Sequence, residues 1–324
     1  MSIHVYGSVI TARGVAANNR GENEGNITTL QKLLWQGQVH TTVSAEAIRW
    51  AVRYYWQMQG IPVNRVWNDE KSDHEWVDSR WEAWTDDQKK AKAVPAERWV
   101  QGSGLPRHFI DDDILGFMLA EAGKTDGSDS DEPDDKSKKN KKAPKGTCDK
   151  RRGVLEVTRA ISLQPYAGDI TFNAKSGEKG RTSLYGTEVH ATRYQYGFAM
   201  TPERAWEPQR AMQILDAVMN LGEVAGNHSR FLYDFSPESV VFRVTSDPAP
   251  RILYGYEEDE AGQVTVQAIQ NRIASGDIEK DGFFVGGPAS AAFANLISEG
   301  NRFSGVKGAV GACKNYLSGL LAGK

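Results

Sequence analysis

The sequence contains few of the residues and motifs that usually indicate metal or nucleophilic catalysis. Its 324 residues include two cysteines, Cys148 and Cys313, and neither belongs to a CxxC or Cys/His pattern. No zinc site or disulfide framework is therefore expected. The six histidines are scattered, and GxSxG, HExxH, Walker and strand-linked GxGxxG motifs are missing. Catalysis has little support, and we expect no cofactor.

Long apolar segments are also missing. No run approaches the roughly 18 apolar residues that a membrane helix needs, and the start, MSIHVYGSVITARG, lacks the basic and apolar regions of a signal peptide. We therefore expect a cytoplasmic protein without a membrane partner. The net charge of −3 says little about nucleic-acid binding, because acidic and basic residues lie in separate blocks.

Aromatic residues are abundant, with nine tryptophans and eleven tyrosines. That is more than a core usually requires, so some are expected to face a partner. The length fits two domains, or one domain with large insertions.

The order of predicted elements indicates a fold. Strands are predicted at 3–11, 154–161, 193–200 and 239–245 from β-branched, aromatic or alternating patterns. One helix follows Ser44, a good N-cap, and ends near Gly60; a second begins at Thr201-Pro202-Glu203. The order β-α-β-β-α-β predicts an α+β, ferredoxin-like sheet, as in RNA-recognition modules.

Three segments interrupt this order. Residues 61–109 are rich in tryptophan and charge, and we interpret them as an irregular or helical insertion, followed by a short helix at 111–123. Residues 124–150 are first acidic and then basic, which predicts disorder. Two short β-like pieces around a Gly- and Lys-rich tip predict a protruding hairpin between the second and third strands.

A polar segment, GVAANNRGENEGNITTLQKL at 14–33, follows the first strand and is predicted to be a loop. It offers many hydrogen-bond donors, and its glycines let backbone N–H groups approach a phosphate. The polar series continues to the N-terminus of the first helix, which favours anions. Candidate contacts to a polynucleotide in this region are Arg13, Asn18, Asn19, Arg20, Asn26, Thr28, Thr29, Lys32, Gln38, His40 and Ser44. For any single residue, a solvated loop is an equally good interpretation.

Further candidates lie outside this segment. Arg49 and Arg53, with Trp50 and Trp56, form a basic and aromatic helix face, for which packing over the core is the alternative. A later loop, GNHSRF, carries Asn227, His228 and Arg230. Asp111, Asp112 and Asp113 could bind a divalent cation, although capping of the following helix is the favoured interpretation.

Several stretches together resemble a known family. TARGVAANNRGENEGNITTLQKL, QVHTTVSAEAIRWAVRYYW, RRGVLEVTRAISLQPY, ATRYQYGFAM and AGNHSRFLYDFSPES are similar to the DevR/Cst family of CRISPR-associated proteins. The resemblance covers most of the chain except 124–150 and parts of 61–109. It implies a repeated backbone subunit of a type I, chiefly I-B-like, Cascade complex.

The resemblance also implies an architecture. Residues 1–60 and 151–324 would form a ferredoxin-like palm, 61–123 a finger insertion, and 164–191 a thumb hairpin. Copies of the chain would stack along one CRISPR RNA, beside other Cascade subunits, and leave guide segments free to pair with target DNA. A helicase-nuclease or transposon recruitment proteins would be further partners.

Matched onto this chain, the resemblance implies RNA contacts from three places: the polar segment, the start of the first helix, and the later loop. These contacts are Arg13, Asn19, Lys32, Gln38, His40, Ser44, Arg49, Asn227, His228 and Arg230. In the thumb, Phe172, Leu184 and Tyr185 are candidates for a wedge beside a displaced base, with Arg181 nearby.

Two other functions stay open at this point. Type I members of the family are considered non-catalytic, but Glu22, Glu24 or Asp111 to Asp113 would serve a metal-dependent ribonuclease. The family's autoregulator label suggests a transcriptional regulator that binds promoter DNA without a guide.

Overall fold

The computed structural model describes residues 2–17, 20–79, 109–121, 147–174, 184–222, 224–225, 232–259 and 261–323. Within these ranges the chain is a mixed α+β protein built around one large sheet. No helix of the described part is long and apolar enough to cross a membrane.

Five α-helices lie in the described ranges: α1 Ala45–Met58, α2 Ile110–Leu115, α3 Arg210–Met219, α4 Gln267–Ala274 and α5 Val306–Ala322. Helix α1 begins as predicted, because the Ser44 hydroxyl accepts a hydrogen bond from the Ala47 N–H at 3.2 Å. Helix α3 begins later than predicted. Residues Pro202–Arg204 form a short 3-10 helix, and α3 starts only at Arg210.

The strands, in chain order, are β1 His4–Thr11, β2 Gly14–Ala16, β3 Arg20–Glu24, β4 Ile27–Leu30, β5 Lys32–Trp35, β6 Gln38–Val43, β7 Val66–Asn68, β8 Asp73–Glu75, β9 Gly116–Glu121, β10 Thr147–Arg152, β11 Glu156–Val157, β12 Ala160–Ser162, β13 Asp169–Ala174, β14 Leu184–Thr192, β15 Tyr194–Met200, β16 Pro237–Thr245, β17 Glu257–Glu258, β18 Val264–Thr265, β19 Phe283–Gly286 and β20 Arg302–Phe303.

The large sheet has nine strands in the order β20-β19-β16-β1-β15-β12-β6-β5, with β11 also paired to β15. Strand β1 is central and antiparallel to both β15 and β16. The predicted second strand is divided into β11 and β12, since Thr158 hydrogen-bonds to Gly197 between them. The four predicted strands are therefore adjacent in one sheet.

Both faces of this sheet are covered. Val5 and Val9 of β1 lie in a core with apolar residues of α1, α3 and α5, whereas Tyr6 and Ile10 lie in a second core that includes residues of α4. Neighbouring residues of a strand point to opposite faces. Strand β1 is accordingly buried along both sides, and its buried residues include the polar Ser8 and Thr11 beside the apolar ones.

The polar segment at 14–33 is not the predicted loop. Strands β2, β3 and β4 lie within it, and they join β13 and β14 in a five-stranded sheet. Strands β2 and β4 pair with β14, which lies more than 150 residues away, so the local sequence gives little sign of them, while β3 pairs with the neighbouring β4. Pairing with β14 satisfies backbone N–H and C=O groups of the polar segment that would otherwise bond to water.

Two other predictions need correction. The predicted helix at 111–123 ends at Leu115, since Gly116 has φ +71° and starts β9. An added side chain at Gly116 would come within 2.4 Å of the Arg151 carbonyl, so glycine is required there. The predicted disorder of 124–150 is wrong for 147–150, which form part of β10 and pair with β9. The rest of that segment lies outside the described residues.

Candidate nucleic-acid interface

The opening segment and the hairpin strands β13 and β14 are joined directly. Strand β14 pairs in parallel with β4, where Gly186 faces Ile27 and Thr187 faces Thr28, and in antiparallel fashion with β2. The polar segment and the hairpin are therefore parts of one surface that borders the edge of the large sheet.

Lys32 lies at this junction and is held by the hairpin. Its Nζ lies 2.6 and 2.7 Å from the two carboxylate oxygens of Glu188, and 4.5 Å from the centre of the Tyr166 ring. Partial burial opposes ionisation of Glu188, but hydrogen bonds from Lys32 and the Leu30 N–H lower its pKa overall. Burial and the nearby Glu188 charge raise the pKa of Tyr166 to about 12. The ammonium group of Lys32 remains partly exposed.

Arg13 is exposed and takes part in a second charged cluster. Its guanidinium pairs with Glu258, which also pairs with Arg193 at 2.7 Å. Arg193 reaches Glu238 at 3.1 Å. Arg13 also lines a cavity of about 300 Å³ between the hairpin base and Gly262. Two arginines and two glutamates balance each other here, so Arg13 adds little net charge to the surface.

His40 is a correction to the predicted set. Its side chain is buried, and Nδ1 lies 2.7 Å from the Ser162 carbonyl oxygen. The neighbouring Thr41 is also buried and bonds to His190 and Tyr194. His40 therefore links β6 to β12 within the sheet. Its side chain is not exposed at the surface, where a polynucleotide would bind. Gln38, at the start of β6, is exposed.

The predicted basic and aromatic face of α1 is only partly present. Trp56 is fully buried and donates to the Gln213 carbonyl at 3.2 Å, so it belongs to the core. Arg49 donates to the Leu115 carbonyl, and Arg53 pairs with Asp111 at 2.9 Å. Burial, and then the charge of Arg53, lower the pKa of Arg49. Of this face, Trp50 is exposed.

The three consecutive aspartates are structural. Asp113 is buried, and its carboxylate accepts hydrogen bonds from Arg151 at 2.6 Å, from Arg210 at 2.8 Å and from the backbone N–H of Trp206 at 3.0 Å. Asp111 and Asp112 are buried too, with bonds to Arg53 and to Asn64. Arginine partners occupy the positions that a cation would need. No group of three or more metal-binding side chains occurs among the described residues.

Among the described side chains of the hairpin, one large apolar side chain is exposed to solvent. Phe172 of β13 is 75% exposed. Its cross-strand partner is Gly186, which has no side chain to cover the ring. Tyr185 of β14 is half-buried, while for Leu184 only the backbone of β14 is described.

Several predicted contacts lie outside the described residues. They are Asn18, Asn19, Arg181, Asn227, His228 and Arg230. Arg20 lies in β3, where only its backbone is described.

The structure adds a cation that the sequence reasoning missed. Arg159, between β11 and β12, is exposed and donates to the Gln31 side chain at 3.0 Å and to the Thr42 hydroxyl at 3.2 Å. No carboxylate pairs with it among the described residues. The rings of Trp35 and Tyr254 are in tilted contact, with their centres 5.2 Å apart, and the Tyr254 hydroxyl donates to the Arg159 carbonyl. The only sequence signal was the position of Arg159 in an alternating strand.

The fold is similar to that of a solved chain. One solved chain titled "CRISPR RNA-guided surveillance complex, pre-nicking" aligns over 99% of both chains at 12% identity, with a TM-score of 0.55. A chain titled "CRISPR RNA-guided surveillance complex" aligns over the same share at a TM-score of 0.49. No protein-family profile matches the chain.

Sequence comparison then gives the family. The chain is 46% identical over 296 residues to "CRISPR-associated protein Cas7/Cst2/DevR" of Myxococcus xanthus (strain DK1622), covering 89% of this chain and 87% of that protein. The chain therefore belongs to the Cas7/Cst2/DevR family of CRISPR-associated proteins. The resemblance seen in the sequence is confirmed.

Proposed function

We propose that this protein is the CRISPR RNA-binding backbone subunit of a type I, I-B-like, Cascade complex in the cytoplasm. Family membership supports the proposal, and so does the shared fold of a chain from a CRISPR RNA-guided surveillance complex. Copies of the chain stack along one guide RNA, contact the other Cascade subunits, and leave guide bases free to pair with target DNA.

The palm of the proposed subunit is ferredoxin-like. Strands β1, β12, β15 and β16 lie in the order β16-β1-β15-β12. If they are numbered one to four along the chain, this is the order 4-1-3-2, and α1 and α3 occupy the two connections. In this proposal the pair β13 and β14 belongs to the thumb, and 61–123 forms the fingers.

The guide is held at the edge of the palm. The observation that carries this assignment is the joining of the opening segment to the hairpin through β4 and β14. Lys32, Arg159 and exposed Gln38 come from this region and supply charge and hydrogen-bond donors without reading base edges. Phe172, opposite Gly186, is the favoured wedge beside a displaced base.

The proposed subunit does not cleave RNA. Asp111 and Asp113 already neutralise buried or half-buried arginines, so recruiting them to a metal would leave those arginines without partners. Glu22 and Glu24 are exposed on β3 and remain acidic candidates. Incubating labelled RNA with magnesium or manganese tests this point: the proposal predicts no products, and cleavage that disappears in Glu22→Gln or Glu24→Gln would contradict it.

Assembly on RNA tests the function itself. Purified protein is mixed with guide-like RNAs of several lengths, and particle mass is measured at increasing salt. We expect the number of bound copies to rise with RNA length and the affinity to fall with salt, because phosphate contacts release counterions. A protein that stays monomeric on every RNA, or binds equally at all salt concentrations, would contradict the proposal. Equal binding to promoter DNA without a guide would favour the autoregulator instead.

A further inference from the structure

The outer side of α1 carries a row of exposed apolar side chains. Trp50, Tyr54 and Met58 follow each other at four-residue spacing, which places them on one face of the helix, and their exposures are 45%, 43% and 65%. The rings of Trp50 and Tyr54 stack at 5.2 Å with only 11° between their planes. The two rings are therefore nearly parallel to each other and exposed at the surface.

The β7–β8 hairpin extends this surface. His74 of β8 lies edge-on to Trp50 at 6.1 Å and to Trp67 at 5.1 Å. Trp67 is 48% exposed. We call Trp50, Tyr54, Trp67 and His74 the aromatic platform. Aromatic side chains usually pack in the core of a protein. A cluster of four at the surface is instead typical of a binding site.

Positive charge borders the platform. Arg53 and Arg65 line a shallow depression of about 20 Å³ together with Trp50, Tyr54 and His74. The depression is too small to enclose a base, so a ligand would lie on top of it. Arg53 pairs with Asp111, whereas Arg65 donates to the Asn64 carbonyl and has no ion-pair partner among the described residues.

Charges of both signs act on Arg65. Burial, and then the charge of Arg53, lower the pKa of Arg65 to about 10, while the carboxylates of Asp111 and Asp112 act in the opposite direction. A guanidinium crowded by another cation is stabilised when a phosphate approaches. Flat exposed rings beside such a cation match an unpaired nucleotide, which offers a base to stack and a phosphate to pair.

We propose that the aromatic platform binds an unpaired nucleobase of a single nucleic-acid strand by stacking, while Arg65 holds the adjacent phosphate. This inference rests on the proposed function in one respect, which is that the ligand is a nucleic-acid strand. Apart from Arg53 and Trp50, none of these residues belongs to the predicted polynucleotide contacts. The strand on the platform is either the guide itself or a second strand, and both present the same chemistry.

Photo-cross-linking locates the strand. One arm adds a guide-like RNA containing 4-thiouridine to RNA-free protein; the other adds a DNA strand containing 4-thiothymidine to guide-loaded protein. We expect cross-links in the tryptic peptides 50–53, 54–65, 66–71 or 72–80, and the arm that gives them identifies the strand. Cross-links that avoid these peptides in both arms would overturn the proposal.

Affinity measurements with variants separate stacking from apolar docking. The double variant Trp50→Ala/Tyr54→Ala should bind that strand between about fivefold and about a hundredfold more weakly, as expected for lost base stacking. Met58→Ala is the matched control, because it removes an exposed apolar side chain from the same helix face. It should bind like the wild type. An equal loss in both would show that apolar contact and not ring stacking holds the strand, and would overturn the proposal.

A failure of this inference differs from a failure of the proposed function. If the double variant still co-purifies with guide RNA and assembles on it, the guide surface stands whatever happens at the platform. If the double variant binds both strands with undiminished affinity, the proposed role of the aromatic platform is wrong, and the proposed guide surface is unaffected. Thermal melts of all variants confirm that they fold.

Discussion

Lys32 and Glu188 form a two-oxygen ion pair, at 2.6 and 2.7 Å, that ties the opening segment to the hairpin. The two residues come from the opening segment and the hairpin, the two parts of the chain that we propose to hold the guide. The ammonium group of Lys32 can therefore anchor the hairpin, contact a phosphate, or do both. Substitutions can separate these two roles.

Lys32→Ala should weaken RNA binding and make the salt dependence shallower by about 0.7 in the log–log slope, the value for one phosphate contact on a single strand. Glu188→Gln removes the same ion pair but leaves the ammonium group free, so binding should be retained or improved. The measurement is RNA affinity at several salt concentrations. Equal losses in both variants would show that anchoring alone matters.

Arg159→Ala should weaken RNA binding roughly 5-fold or more, since charge-assisted contacts contribute about 1–3 kcal/mol. Stability should change by less than about 0.5 kcal/mol because the side chain is exposed. Arg152→Ala is a matched control that removes an exposed arginine paired with Glu156. Indistinguishable affinities of the two variants would exclude Arg159 from the RNA surface.

Asp113→Asn should lower the free energy of unfolding by about 3–5 kcal/mol, because Arg151 and Arg210 would lose a buried carboxylate. Glu156→Gln, at an exposed pair, should cost less than about 1 kcal/mol. Urea unfolding measures both. A fully stable Asp113→Asn protein would contradict the structural role of this aspartate.

The sequence predicted what depends on neighbouring residues. Ser44 was recognised as an N-cap because capping involves a residue three positions away, and the β-branched and aromatic residues of β1 indicated a strand. Strands β2 and β4 were missed because their partner β14 is remote in sequence, and β3, which pairs only with the neighbouring β4, was missed because its residues are polar. The role of Asp113 was missed for the same reason, since Arg151 and Arg210 approach it only in the folded chain.

His190 should make stability depend on pH. Burial lowers its pKa from 6.5 to about 4, and its Nδ1 bonds to the Thr41 hydroxyl at 2.8 Å. Between these pH values the unfolded chain binds a proton at this histidine and the folded chain does not. Stability should therefore fall as pH drops from 6.5 towards 4, by up to about 1.4 kcal/mol per pH unit from this group.

The comparison of wild type with His190→Gln isolates this contribution, because all other titrating groups are common to both proteins. Urea unfolding across this pH range should give a steeper decline for the wild type. Parallel stability curves would show that His190 takes up its proton equally in both states.

The central claim is that the palm edge holds RNA. The most direct measurement is the amount of RNA that co-purifies with the triple variant Lys32→Ala/Arg49→Ala/Arg230→Ala, followed by absorbance at 260 and 280 nm. Its control, Arg152→Ala/Lys280→Ala/Lys307→Ala, removes the same charge from exposed positions. Loss of RNA from the triple variant alone, with the melting temperature lowered by only a few degrees, is the predicted result. Undiminished RNA in a folded triple variant would contradict the account.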